Sequence, residues 1–121
     1  MDPRHVFGRD SEQKALEWLQ TNSNWNLINR NYRCKWGEID LIFEEKRPSG
    51  TIELVFVEVR ARAKGSWLSP LASLDGKKRN CMKRVAEYYL SKYKGSAVAT
   101  RYDLVTWNGE QWCLTENLAL Y

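Results

Sequence analysis

The chain has 121 residues, 43% of them hydrophobic and 12% aromatic, which suits one domain with a single core and excludes a disordered chain. Its 19 basic and 15 acidic side chains leave a net charge of +4, a bias compatible with a polyanionic partner but not diagnostic of one. No stretch approaches the roughly 18 apolar residues of a membrane span, and Met1-Asp2-Pro3-Arg4-His5 leads into no apolar signal core, so no membrane partner and a cytoplasmic location are expected.

The first predicted helix runs from Ser11 to Gln20, with Asp10 or Ser11 as its cap. Ala15, Leu16 and Leu19 form the inner stripe, with Trp18 at its margin. Glu12 precedes those three residues by three, four and seven positions, so it shares their face at the helix start. Thr21-Asn22-Ser23-Asn24 ends the helix. Three strands follow, Trp25 to Arg33, Glu38 to Glu45 and Ile52 to Ala61. Turns at Lys35-Trp36-Gly37 and Arg47-Pro48-Ser49-Gly50 separate them. Arg62 to Leu74 reads as a surface loop. A second helix spans Asp75 to Tyr93, with Met82, Val85, Ala86, Tyr89 and Tyr93 inward and Lys94-Gly95 as its stop. Thr100 to Trp107 and Gln111 to Thr115 are the last strands, joined at Asn108-Gly109, a strong hairpin signal. The order αβββαββ predicts an α/β domain, residues 1–121, with a mixed central sheet flanked by helices.

Two acids interrupt strands that read as buried. Asp40 lies within Ile39-Asp40-Leu41-Ile42-Phe43, and Glu58 within Leu54-Val55-Phe56-Val57-Glu58-Val59. A carboxylate in such a run is costly unless something pairs with it. If Glu44 faces Leu54 across the hairpin, then Ile42 faces Phe56, Asp40 faces Glu58 and Glu38 faces Arg60. Directly opposed side chains lie about 5 Å apart at Cβ, where like charges need neutralising. A slip of one residue would put the two acids on opposite faces. Glu58 and Arg60, two apart, share a face. Lys78 lies four and seven residues before Met82 and Val85, again on an inner stripe.

Such a group suits Mg²⁺ or Mn²⁺, which take about six oxygen ligands, some from water or phosphate. Asp40 and Glu58 would bind the ion, with Glu12 joining through a water. Arg60 would steady the charge developing on a phosphate, and Lys78 would hold a phosphate. Salt bridges to Arg60 or Arg33 account for Asp40 and Glu58 equally well. Glu12 is also explained by the positive end of its helix. Cys34, Cys81 and Cys113 are widely spaced and His5 is the sole histidine. That argues against zinc and against a Cys-His or Ser-His-Asp nucleophile.

Gly37-Glu38-Ile39-Asp40-Leu41-Ile42 followed by Val55-Phe56-Val57-Glu58-Val59-Arg60 resembles the paired motifs of the YraN family of small bacterial proteins. The likeness extends to Gly8, Glu12-x-x-Ala15, Lys78, Ala86-x-x-Tyr89-Leu90 and Arg101-Tyr102-Asp103-Leu104-Val105. That family is similar in fold to the restriction-endonuclease-like PD-(D/E)XK nucleases, including Holliday-junction resolvases. The resemblance implies a metal site at Glu12, Asp40 and Glu58, with Arg60 in place of the nuclease lysine. Ile39 stands where the nuclease motif has proline. Arginine stays protonated near neutral pH and cannot act as a base, though it still stabilises phosphate charge.

Basic residues cluster around the same elements. Lys77, Lys78, Arg79, Lys83 and Arg84 crowd the second helix, and Lys77 and Arg84, seven apart, share a face. Arg62 and Lys64 enter the loop that carries Trp67. Arg62, Lys64, Trp67, Lys77, Lys78 and Arg84 therefore form a candidate nucleic-acid surface, with Trp67 able to stack on bases. The other tryptophans, Trp36 among them, read as core and edge packing. An edge strand or the apolar Leu118-Ala119-Leu120-Tyr121 offers a homodimer contact. Three functions follow: a metal-dependent nuclease acting on DNA, a non-catalytic nucleic-acid-binding or DNA-repair adaptor module on the same fold, and a protein-interaction domain.

Overall fold

Five strands form one mixed sheet in the order β1-β2-β3-β4-β5. A computed structural model describes residues 3–61, 72 and 74–120. Its elements are α1 (Pro3–Asn22), β1 (Asn26–Cys34), β2 (Gly37–Lys46), β3 (Ile52–Ala61), α2 (Gly76–Lys92), β4 (Ala97–Trp107) and β5 (Trp112–Thr115). β3 and β4 are parallel, with α2 as their crossover, and the other three pairings are antiparallel. The predicted order αβββαββ and the mixed sheet are both present.

Alternation along the central strands explains why each face of the sheet carries a helix. Leu41, Phe43, Val55 and Val57 pack with Ala15, Leu16 and Leu19 of α1. Ile42, Leu54 and Phe56 pack with Val85 and Ala86 of α2. β2 and β3 are thus apolar on both sides, as strands between two helical layers must be. Asp75 caps α2, its carboxylate accepting from the Lys78 N–H at 2.7 Å.

Three expectations need correction. α1 begins at Pro3, a residue suited to a first turn. Asp10 therefore lies inside the helix, in an i,i+4 ion pair with Lys14 at 3.0 Å, and neither it nor Ser11 is a cap. Glu12 sits mid-helix, so the helix dipole no longer accounts for it. The second correction concerns the β4–β5 connection. It runs through four residues, with Asn108 Oδ1 accepting from the N–H groups of Glu110 and Gln111 at 2.9 Å each. Trp107 and Trp112 pack across its base at 5.2 Å. Third, Leu118 and Leu120 are buried in their own chain against Leu74, Met82 and Leu104, and the Leu118 N–H bonds to the Tyr102 carbonyl at 2.7 Å. Leu118 and Leu120 are therefore not open to the dimer contact expected of them, and Tyr121 lies outside the described residues.

Gly95 lies under the Tyr93 ring, and a Cβ there would collide with the phenol. That ring is held in place, since Tyr93 donates to Glu44 at 3.0 Å and accepts from the Ala97 N–H at 3.2 Å. Gly95→Ala is expected to cost about 1–3 kcal/mol through this overpacking, measurable by urea unfolding. Alanine at the exposed Gly50, with open space around it, would strain only the backbone at φ +91°.

Candidate metal centre

The hairpin of β2 and β3 is paired in the anticipated register, with Glu44 opposite Leu54 and Ile42 opposite Phe56. The pairing stops at Leu41 and Val57, one step before Asp40 and Glu58. Beyond that step the Val59 N–H donates to Asp40 Oδ2 at 2.8 Å, so a side chain replaces the usual carbonyl. The strands part here at the C-terminal end of β3, the end where open α/β sheets usually bind ligands.

β2 also changes face at Asp40. Ile39 packs on the α2 side with Ile42, three residues away, while Leu41 packs on the α1 side. A regular strand would put Ile39 and Ile42 on opposite faces. In β1, between the pairs Arg30–Leu41 and Tyr32–Ile39, stands Asn31 with φ 53°. Asparagine is among the few residues that adopt this left-handed backbone readily.

The result is a group of carboxylates at the α1 side. One oxygen from each of Glu12, Glu38 and Asp40 lies within 4.8 Å of the others. The Asn31 amide, oriented as its neighbours dictate, donates to Glu12 at 2.7 Å and Glu38 at 3.1 Å. Glu38 also receives the Arg33 guanidinium at 3.0 Å. Burial, and then the adjoining Asp40 carboxylate, raise the Glu12 pKa to about 7.

Glu58 is not one of those three. Its carboxylate meets Lys78 Nζ at 3.2 Å and Arg60 Nε at 3.7 Å. Burial foremost, and repulsion from Asp40 next, push its pKa to about 8 although Lys78 and Arg60 pull it down. Asp40 is thus the link: it bonds towards α1 through Glu12 and repels Glu58, which pairs with α2. Two buried atoms here lack hydrogen-bond partners, Glu58 Oε2 and Arg60 Nε. An unsatisfied buried polar atom is costly and uncommon.

This donor set fits a hard divalent cation. Oxygens on one Mg²⁺ lie about 3 Å apart when adjacent and about 4 Å when opposite, so the Glu12, Glu38 and Asp40 oxygens, within 4.8 Å of one another, would draw together to share an ion. Glu58 Oε2 is a carboxyl oxygen without a hydrogen-bond partner, and Arg60 Nε a donor without an acceptor. A cation and a phosphate oxygen would answer the two respectively. Mg²⁺ or Mn²⁺ therefore suits the oxygen-rich set, to which Glu38 is an addition. Strand alternation predicts only that Glu38 faces Arg60; the break that turns it towards Glu12 has no signal in composition. A left-handed Asn31 was the one available hint.

Of the basic residues, Lys77 and Arg84 are exposed on α2 and Lys78 is half-buried against Glu58. Arg62, Lys64 and Trp67 lie outside the described residues. Trp36, expected in packing, is 37% exposed at the β1–β2 turn, with the Arg84 guanidinium 4.7 Å from its ring centre. Among the described residues no helix is long and apolar enough to cross a membrane.

Residues 11–106 match the profile of the uncharacterised protein family UPF0102. A UPF0102 protein of Persephonella marina is 36% identical over 101 residues, covering 84% of this chain and 82% of its own. One from Caldicellulosiruptor saccharolyticus is 35% identical over 102 residues, with 84% and 81% covered. One from Nitrosomonas europaea is 36% identical over 104 residues, with 86% and 82% covered. The matched span holds every carboxylate of the site together with Arg60 and Lys78. With α2, most of α1 and nearly all of β1 to β4 inside that match, the chain belongs to the UPF0102 family, the YraN family that its paired strand motifs resemble.

Proposed function

We propose that this protein is a metal-dependent nuclease of restriction-endonuclease-like fold that hydrolyses phosphodiester bonds in DNA. The observation that carries the reading is the pair of orphaned buried atoms, Glu58 Oε2 and Arg60 Nε, beside Asp40 at the parted strands. Asp40, Glu58 and Glu12, with Glu38, would hold the ion. Bound Mg²⁺ or Mn²⁺ supplies Lewis acidity, polarising a phosphate oxygen and acidifying a water. Arg60, always protonated, offsets charge that grows on the phosphate. Lys78 positions a phosphate, and of the two cations it alone is able to release a proton.

The test is cleavage of branched, single-stranded and duplex DNA with Mg²⁺ or Mn²⁺. Asp40→Asn and Glu58→Gln are each expected to lower turnover by roughly 100-fold or more, the scale seen when one transition-state contact is lost. Metal-dependent activity that persists in both variants would place the chemistry elsewhere.

A second reading has its own support. Lys78 and Arg60 both reach Glu58 and neutralise it without any metal. That favours a non-catalytic nucleic-acid-binding or DNA-repair adaptor module. It predicts DNA binding that weakens steeply with salt and no turnover in either metal.

A further inference from the structure

The β1–β2 turn and the outer face of α2 carry an arrangement that the carboxylate site does not use. Trp36 stands exposed at the turn, with Lys35 Nζ 4.9 Å and the Arg84 guanidinium 4.7 Å from its ring centre. One helical turn beyond Arg84 stands Tyr88, with Lys92 Nζ 5.0 Å from its ring centre. Trp36, Arg84, Glu87 and Tyr88 enclose an open hollow of about 440 Å³, a size that holds a small organic ring system. We propose that this hollow is a stacking platform for unpaired bases, binding a single-stranded nucleic acid whose phosphates meet Lys35, Arg84 and Lys92.

The chemistry of the surface selects that partner. An exposed Trp36 and a half-buried Tyr88 interleaved with cations match a chain that alternates π-faces and negative charges. A duplex hides its base faces in the stack, so only an unpaired strand uses both. An incoming base takes the place of the Lys35 ammonium, a long solvated side chain, on the Trp36 ring. The released ammonium then meets the adjoining phosphate. Glu87, the one acid in the hollow, repels phosphate but accepts hydrogen bonds. It favours bases with exocyclic amino groups, as carboxylates do when they read cytosine.

The platform is also fixed in relation to the metal centre. Gly37, at φ +137°, brings the turn onto α2, where an added Cβ would stand 3.6 Å from Val85. Trp36 precedes Asp40 by four residues, a span of at most about 13 Å, or up to roughly four stacked nucleotides. On α2, Lys77 shares the face of Arg84 and Tyr88 and extends the basic stripe towards Lys78. This inference rests on the nucleic-acid reading of that centre, but not on hydrolysis.

The experiment is fluorescence anisotropy in EDTA, with a labelled single-stranded DNA of about 16 nucleotides and a duplex of equal length. Trp36→Ala is expected to weaken single-strand binding about ten-fold with little change for the duplex. Trp36→Phe should restore most of the loss, and Tyr88→Ala should repeat it. Thermal unfolding, expected to be unchanged in Trp36→Ala, verifies the fold. Single-strand affinity that is the same in Trp36→Ala and wild type, an equal loss for duplex, or tighter binding of an acidic peptide overturns the proposal. Cleavage without the Trp36 effect removes this inference alone. The Trp36 effect without cleavage removes only the nuclease reading.

Discussion

Glu58→Gln is expected to make the metal-free protein more stable at pH 8.5 and to leave it little changed at pH 5. The folded Glu58 has its pKa raised by burial and then by Asp40, from 4.5 to about 8. An unfolded carboxyl therefore loses its proton at lower pH than the folded one. Between about pH 4.5 and 8 the folded state binds more protons, so stability falls as pH rises. Below that window the group contributes no penalty, and above it the penalty is complete. Glutamine cannot ionise, so the variant escapes the fall. The gain at pH 8.5 is on the order of 2–4 kcal/mol by the energy of a pKa shift, reduced because Lys78 loses its partner. Lys78 and Arg60 are 30% and 36% exposed, so water takes over part of that role.

The same linkage predicts the response to metal. A cation binds only ionised carboxylates, so Mn²⁺ should raise the unfolding midpoint of the wild type more at pH 8.5 than at pH 6. Glu12, with its pKa raised to about 7 by burial and Asp40, sharpens the contrast. Glu58→Gln should lose most of that metal response. Urea titrations at the two pH values, with and without Mn²⁺, measure both effects. A variant less stable than wild type by the same amount at pH 5 and 8.5 would show that the ion pair with Lys78 outweighs burial.

Arg101→Ala is expected to cost about 3–5 kcal/mol, the scale for breaking one side of a buried ion pair. Total stabilities of 5–15 kcal/mol are usual, so this single change removes a large share. Arg101 is 5% exposed and holds Asp103 through Nε at 3.0 and 3.1 Å. Its Nη1 reaches Glu45 at 3.1 Å and Glu53 at 3.3 Å, and the guanidinium lies 5.2 Å from the Trp25 ring centre. Trp25 closes the group by donating its indole N–H to Glu45. Asp103 is fully buried, and burial raises its pKa even with Arg101 alongside. Without the guanidinium it must either take a proton or remain a bare charge in the core. The paired replacement Arg101→Met with Asp103→Leu should be less damaging than Arg101→Ala, because no charge is left behind. Chemical unfolding of wild type and both variants tests this. The cluster runs from Glu45, five positions along β2 from Asp40 and about 17 Å away, to Asp103, which faces Val57 beside Glu58.

Periodicity was enough for the layers, because β2 and β3 carry apolar residues at nearly every position and so require a helix on each side. It does not settle the hairpin register, because the loop about Pro48-Ser49-Gly50 admits a slip; the structure adopts the pairing of Glu44 with Leu54 that sets both acids on one face. The second helix starts within one residue of its expected first position, with Asp75 as its cap rather than its first turn. What stayed hidden depends on contacts between distant residues. The start of α1 was set too late because Asp10 and Ser11 are good caps in isolation, while Asp10 pairs with Lys14 inside a longer helix. Glu38 joined the site because β2 changes face at Asp40, opposite a left-handed Asn31. Strand alternation assumes no such break. Trp36 in isolation suggests packing, as large aromatics usually do, and only its place above α2 shows otherwise.

The left-handed Asn31 has an effect beyond the carboxylates. β1 is an outer strand of the sheet, and its partnering shifts between Leu27 and Asn29 two residues before Asn31 bends it again. Exposed guanidinium groups at Arg30 and Arg33 flank the second bend. A foreign chain seeking to extend this border meets a broken row of amides and positive charge, the usual defence against self-templated fibrils. The irregularity that gathers an acidic pocket inside the molecule thus also resists polymerisation along its rim.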